Sequence, residues 1–136
     1  MSEAAEVALR ALRHRDRSRR DLDQRLARAG VPSAEREHAL DQLAELGLLS
    51  DARFAEARAR ALVARSAGDE LIRRDLADHG IGEEVVAEVL AVLPPETERA
   101  ERAFAKRGGG AKALRYLAGK GFSAESIERL RDDSLH

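Results

Sequence analysis

The feature that most constrains this 136-residue chain is a helix that ends on glycine and occurs three times. Leu22-x3-Leu26-x3-Gly30-Val31 is matched by Ile72-x3-Leu76-x3-Gly80-Ile81 and by Ala113-x3-Leu117-x3-Gly121-Phe122, at offsets of 50 and 41 residues. Spacings of that size belong to two- and three-helix repeats. In each copy two apolar residues four apart share one helix face. Glycine then takes the left-handed conformation that closes a helix without steric cost. The residue after it is predicted to pack back on the helix, pairing Leu26 with Val31, Leu76 with Ile81 and Leu117 with Phe122. A similar stop is expected at Gly47, with Leu43 and Leu48 as its pair.

A second helix follows each of these stops. Ala39, Leu40, Leu43 and Leu46 line the first copy's, Val85, Val86, Val89, Leu90 and Leu93 the second's, and Ile127 and Leu130 the third's. A third helix begins at Ser50-Asp51, with Phe54, Ala57, Ala61 and Leu62 inward. Its counterpart runs from about Glu96 to Lys106 with Ala100, Ala103 and Phe104 inward, after a corner at Pro94-Pro95 that no helix continues through. Gly108-Gly109-Gly110 reads as a joint. The third copy is expected to lack its third helix, with only Asp132 to His136 remaining. Ala5, Ala8, Leu9 and Leu12 make an opening helix outside the repeat, and Ser18 with Asp21 has the spacing of a capping box.

Composition agrees with this pattern. Alanine, leucine, arginine and glutamate, the best helix formers, dominate, and aromatics are 3 % of the chain. A sheet would need many more β-branched and aromatic residues. The expected fold is all-α, three tandem three-helix repeats in an elongated, curved array. The expected divisions are an N-terminal helix at 1–17, repeat 1 at 18–67, repeat 2 at 68–108 and an incomplete repeat 3 at 109–136. Cysteine is absent, which excludes disulfides and thiolate metal sites. There is no apolar segment of the signal-peptide or membrane-spanning kind. We therefore expect a cytoplasmic monomer with no membrane association.

Net charge is −1, but charged residues are 36 % of the chain and fall in blocks. Residues 10–28 carry +5, 31–51 carry −4, 53–65 carry +3, 69–93 carry −5 and 99–120 carry +6. One such block is ordinarily a solvated helix face; five in alternation point to a dipolar surface that meets a charged partner. The candidate basic face comprises Arg15, Arg17, Arg19, Arg20, Arg25, Arg28, Arg58, Arg65, Lys106, Arg107, Lys112, Arg115 and Lys120. Non-specific, salt-dependent contact with single-stranded DNA is compatible with it, as is docking on an acidic protein surface. Catalysis is not expected. His14, His38, His79 and His136 stand alone and read as surface residues. Gly108-Gly109-Gly110-Ala111-Lys112 lacks the spacing, the hydroxyl and the preceding strand of a phosphate loop. No cofactor or metal is expected.

The ordered motifs carry a family likeness. Arg17-Ser18-x2-Asp21-Leu22-x3-Leu26-x3-Gly30, followed by Leu43-x3-Gly47-Leu48-Leu49-Ser50-Asp51-x2-Phe54-Ala55, resembles the first repeat of the RecX family, bacterial regulators of the RecA recombinase. Leu76-x3-Gly80-Ile81 is similar to the second repeat, and Tyr116-Leu117-x3-Gly121-Phe122-Ser123-x3-Ile127 to the closing segment. The likeness runs from about residue 5 to 131. It implies a non-catalytic modulator, mainly a negative regulator, lodged in the groove of the RecA–single-stranded-DNA filament. There it would limit filament extension, ATP hydrolysis, strand exchange and co-protease activity, with functions in DNA repair, homologous recombination and the SOS response. Asp69 departs from the pattern, standing where the family commonly has a Gly-Pro turn. The alternative reading is a helix-turn-helix-like protein that contacts duplex DNA through Arg19, Arg20, Arg25 and Arg28, independently of RecA. Gly80→Val tests the repeat itself, because a β-branched residue is strongly disfavoured in the left-handed cap. It is expected to lower the unfolding temperature, and an unchanged midpoint would refute the cap.

Overall fold

The computed structural model describes residues 1–134, which form nine α-helices. They are α1 (Glu3–His14), α2 (Arg19–Arg28), α3 (Ser33–Glu45), α4 (Asp51–Ala64), α5 (Asp69–Asp78), α6 (Glu83–Val92), α7 (Glu96–Lys106), α8 (Gly110–Gly119) and α9 (Ala124–Ser134). Serine hydroxyls start several of them. Ser2 accepts the amide of Ala5, Ser18 that of Asp21, Ser50 that of Arg53 and Ser123 that of Ser126, each at 3.1 Å. Only half of the capping box at Ser18 forms, because the Asp21 carboxylate turns to His79 instead.

The three glycine stops are present. Val31, Ile81 and Phe122 donate to the carbonyls of Leu26, Leu76 and Leu117 at 3.1, 3.0 and 3.2 Å, which is the Schellman arrangement. A further stop uses no glycine. Ser66 sits at φ 64°, and Ala67 donates to Leu62 at 3.0 Å. At Gly47 the residue that packs inward is Leu49, 5 % exposed, while Leu48 is 39 % exposed, so the expected Leu43–Leu48 pair is corrected to Leu43–Leu49.

Packing sets the phase of the repeat. The substantial helix–helix packing lies within α1–α3, within α4–α6 and within α7–α9. Each trio has its own core. Ala5, Ala8, Leu22, Leu26, Leu40 and Leu43 anchor the first; Phe54, Ala55, Ala59, Ile72, Leu76 and Val89 the second; Ala100, Leu117, Phe122, Ile127 and Leu130 the third. The expected division is therefore one helix out of phase. The opening helix belongs to the first unit, the helix at 51–64 opens the second, and the third unit is a full trio closed by α9. The glycine stop marks the turn between a unit's second and third helices, and it recurs at the same spacing wherever a unit is taken to begin. On α4, Ala57 and Ala61 face solvent and Ala55 and Ala59 face the core. The stripe follows Phe54 by one, five and eight residues, the turn of the helix that α6 packs on.

No hydrogen bond or ion pair joins the first unit to the third among the described residues, so the units form a series. Units of about 40 residues with alanine-rich cores are at the lower limit of independent folding, and neighbours must support one another. Two glycine substitutions separate local from junctional costs. Ser66→Gly relieves a left-handed non-glycine residue and should stabilise by about 1 kcal/mol, raising the unfolding midpoint by several degrees. Gly68 has an ordinary φ of −85°, but a Cβ there would lie 2.4 Å from the Phe122 amide nitrogen. Gly68→Ala should therefore destabilise by wedging the second and third units apart. Equal midpoints for the two variants would contradict this picture.

Candidate interaction surface

Each junction between units holds a charged cluster. At the first, the Arg19 amide at the start of α2 donates to Asp51 Oδ1 at 2.8 Å. Arg53 of α4 reaches Asp16 at 2.8 Å, and His79 Nδ1 lies 2.7 Å from Asp21 Oδ2. His79 also stacks edge-on against Phe54, with centroids 5.0 Å apart. It is thus a half-buried junction residue, not the surface histidine expected. His14 and His38 are exposed as expected, and His136 lies outside the described residues.

At the second junction the Asp69 amide at the start of α5 donates to Glu96 Oε2 at 2.8 Å. Glu96 Oε1 accepts from the Ser126 hydroxyl at 2.7 Å and the Ser123 amide at 3.1 Å. Burial pushes the Glu96 carboxyl up, but these hydrogen bonds outweigh it and hold the group below its ordinary 4.5. Arg99, 6 % exposed, donates to the carbonyls of Pro94 at 2.9 Å and Ala67 at 3.0 Å and pairs with Asp69. The departure at Asp69 thus has a partner in the third unit. Neither Glu96 nor Arg99 was singled out from sequence, since both lie among many charges with no motif around them.

The thirteen predicted basic residues divide into committed and open ones. Arg58 is committed: it grips Asp75 through two bonds of 2.8 and 2.7 Å, which raises its own pKa and holds the Asp75 carboxyl below its usual range. It is removed from the candidate face on that ground. Arg19 pairs with Asp41 at 2.6 Å, and Arg20 lies across Gly80 at the junction. Arg25, Arg28 and Arg65 are exposed at the ends of α2 and α4, without an ion pair among the described residues.

Two open clusters remain. Arg17, which donates to the Ala11 carbonyl at 3.1 Å, has its pKa lowered by burial and then by the charges of Arg15 and Arg25. Those three cations therefore share one region of the first unit. In the third unit the Arg107 guanidinium sits 3.3 Å from the centre of the Tyr116 ring. The phenol is held below its ordinary value by direct interaction with Arg107 and by the charges of Arg107, Lys120 and Lys106, against an opposing effect of burial. Lys112, one helical turn before Tyr116, and Arg115 are exposed on α8. The middle unit instead has Glu83 and Glu84 in the first turn of α6, and Arg73 and Arg74 beside an apolar groove floored by Ile81, Val86 and Leu90. That arginine pair was missed because its block is acidic overall. Among the described residues no three histidine, aspartate or glutamate side chains converge as metal ligands, and no helix is long and apolar enough to cross a membrane.

Comparison with known proteins places these units. The family described as "RecX, first three-helix domain" matches residues 4–43, and that described as "RecX, second three-helix domain" matches residues 50–90. Those limits fall on α1–α3 and α4–α6. Regulatory protein RecX of Chromohalobacter salexigens is 40 % identical over 129 residues, covering 88 % of this chain and 85 % of that protein. The Halorhodospira halophila protein of the same name is 36 % identical over 132 residues, covering 90 % and 82 %. The crystal structure of RecX from Lactobacillus salivarius superposes with a TM-score of 0.80 at 20 % identity, covering 96 % of this chain and 94 % of that one.

The lowered pKa of Glu96 makes the second junction acid-sensitive. Its contribution to stability is full above its ordinary value and is lost as pH falls through the lower folded value. The unfolding midpoint should drop as pH falls below about 4.5, and Glu96→Gln should flatten part of that slope. An identical slope in the variant would show that the carboxylate does not hold the junction.

Proposed function

The chain belongs to the RecX family of regulatory proteins, and we propose that it modulates the RecA recombinase by lodging in the groove of the RecA–single-stranded-DNA filament. In that position it limits filament extension, ATP hydrolysis, strand exchange and co-protease activity. The observation that carries this reading is the placement of two open cationic clusters on the first and third of three units in series. One is Arg15, Arg17 and Arg25; the other surrounds Tyr116. A partner that repeats along an axis and carries negative charge matches such a surface, because two separated contacts engage together and raise avidity beyond either alone. The acidic unit between the two clusters favours a protein wall over a bare phosphate backbone, since a polyanion running along all three units would meet the repulsion of its carboxylates, Glu83 and Glu84 among them. The chain works in the cytoplasm as a monomer in dilute solution and without a cofactor.

The competing reading, duplex binding independent of RecA, relies on Arg19, Arg20, Arg25 and Arg28. It is weakened by Arg19, whose guanidinium is engaged by Asp41 and whose amide is engaged by Asp51. The two readings separate cleanly in solution. Added to preformed RecA filaments, the protein should co-sediment and reduce ATP turnover. Replacing Arg15, Arg25, Lys106 and Lys120 together with alanine should weaken co-sedimentation by on the order of tenfold and lessen its salt dependence. Unchanged ATP turnover at several-fold excess over RecA, with retained salt-dependent capture of duplex DNA in filter binding, would replace the RecA reading with the competing one.

A further inference from the structure

The two internal junctions use one arrangement. In each, the start of a unit's second helix lies against the first turn of the next unit's first helix and against that next unit's glycine turn. The amides of Arg19 and Asp69, the first residues of α2 and α5, both donate at 2.8 Å to a carboxylate that opens the following unit, Asp51 or Glu96. The glycine turn is covered in both cases. A Cβ at Gly80 would meet Arg20 at 2.6 Å, and one at Gly121 would meet the Leu71 amide nitrogen at 2.5 Å. At the second junction the Glu70 amide also donates to the Gly121 carbonyl at 3.2 Å.

Both halves of the arrangement occur once more, each unmatched. The first unit opens on an acid at the corresponding position, Glu3, which is exposed and makes no ion pair among the described residues. Its glycine turn is bare, with nothing within 4 Å of a Cβ at Gly30. Beside it, Glu3, Ala34 and Glu35 line a groove at the starts of α1 and α3. The corresponding groove of the third unit is lined by Glu96, Glu125 and Ser126, and there Asp69 and Glu70 of the second unit fill one side. The other half is the start of α8. Gly109 holds the place before the helix that Gly68 holds before α5, although its φ is +70° where that of Gly68 is −85° and its amide donates to the Phe104 carbonyl of its own unit. The amides of Gly110 and Ala111 have no acceptor among the described residues, and the first turn holds Lys112 and no acid. Charge is complementary: an uncapped helix start with a lysine faces Glu3 and Glu35.

We propose that a second copy of this chain docks head to tail, with the start of α8 in one copy seated on Glu3 and the Gly30 turn of the next. The inference stands apart from the RecA reading, because it rests only on the repeated junction. An interface of this type joins different faces of the two copies, so it does not end at a dimer and adds further copies in a row. It is small, in the weak class below about 1,200 Å². Dilute chain therefore stays monomeric, and association emerges on the order of 0.1–1 mM or where copies are held side by side.

The test uses the protein alone. Since the chain has no cysteine, the double variant Ala34→Cys/Ala111→Cys carries one thiol in the groove and one at the start of α8. Oxidised at about 0.5 mM, it should give a ladder of dimers, trimers and higher species. Each single-cysteine variant should stop at a dimer. Adding Glu3→Arg to the double variant should cut the yield of trimers and above several-fold, while circular dichroism confirms that it folds. Sedimentation equilibrium of the unmodified chain should show its mass rising over the same concentrations. A mass that stays at one chain together with no species above dimer, or a ladder indifferent to Glu3→Arg, would overturn the proposal.

Discussion

The array depends on a carboxylate at the first position of a helix that also accepts the amide of a neighbouring helix. Asp51 and Glu96 hold this place, and each joins one unit to the next. The reason such a contact is needed lies in the cores. Alanine supplies much of each one, so little apolar surface is left to share between trios. The connection must then be polar, and helix starts are the natural place for it. They present unsatisfied amides and a partial positive charge, and an anion placed between two of them satisfies both. At the second junction Arg99 completes the arrangement, its three nitrogens shared among two carbonyls and Asp69, so that the buried charge is compensated.

Most of the fold was legible in the sequence because its punctuation is local. A glycine after an apolar pair, a serine before an acidic turn and the Pro94-Pro95 corner each act within a few residues, and the helices from Asp51 and Glu96 start where those signals place them. The unit boundaries were not legible, because a periodic signal has no origin. Only packing distinguishes α1 as a member of the first trio and α9 as the closing helix of the third. The stop at Ser66 carried no signal either, since serine there takes a conformation normally left to glycine.

The candidate surface was less legible than the fold. Charge can be counted along a chain, but whether it is open to a partner depends on contacts far away in sequence. Arg58 and Asp75 are 17 residues apart and cancel each other, while His79 and Asp21 are 58 apart and define a junction. Arg107 and Tyr116 lie within one basic block, yet their stacking required the turn between α7 and α8 to fold one over the other. Exposed arginines without an ion pair occur on all three units, Arg65 and Arg74 on the second among them, while the clusters around Arg17 and Tyr116 lie on the first and third.

The contrast between greasy interiors and ionic couplings has a mechanical side. Dispersion contacts inside a trio are short-ranged and numerous, so deforming one costs energy over its whole interior at once. A coupling made of a few hydrogen bonds can pivot by a few degrees while keeping every donor within reach of its acceptor. The three trios are therefore the stiff parts of the array, and the two junctions, held by a few hydrogen bonds and close backbone contacts, are where the least interior has to be disturbed for the chain to bend.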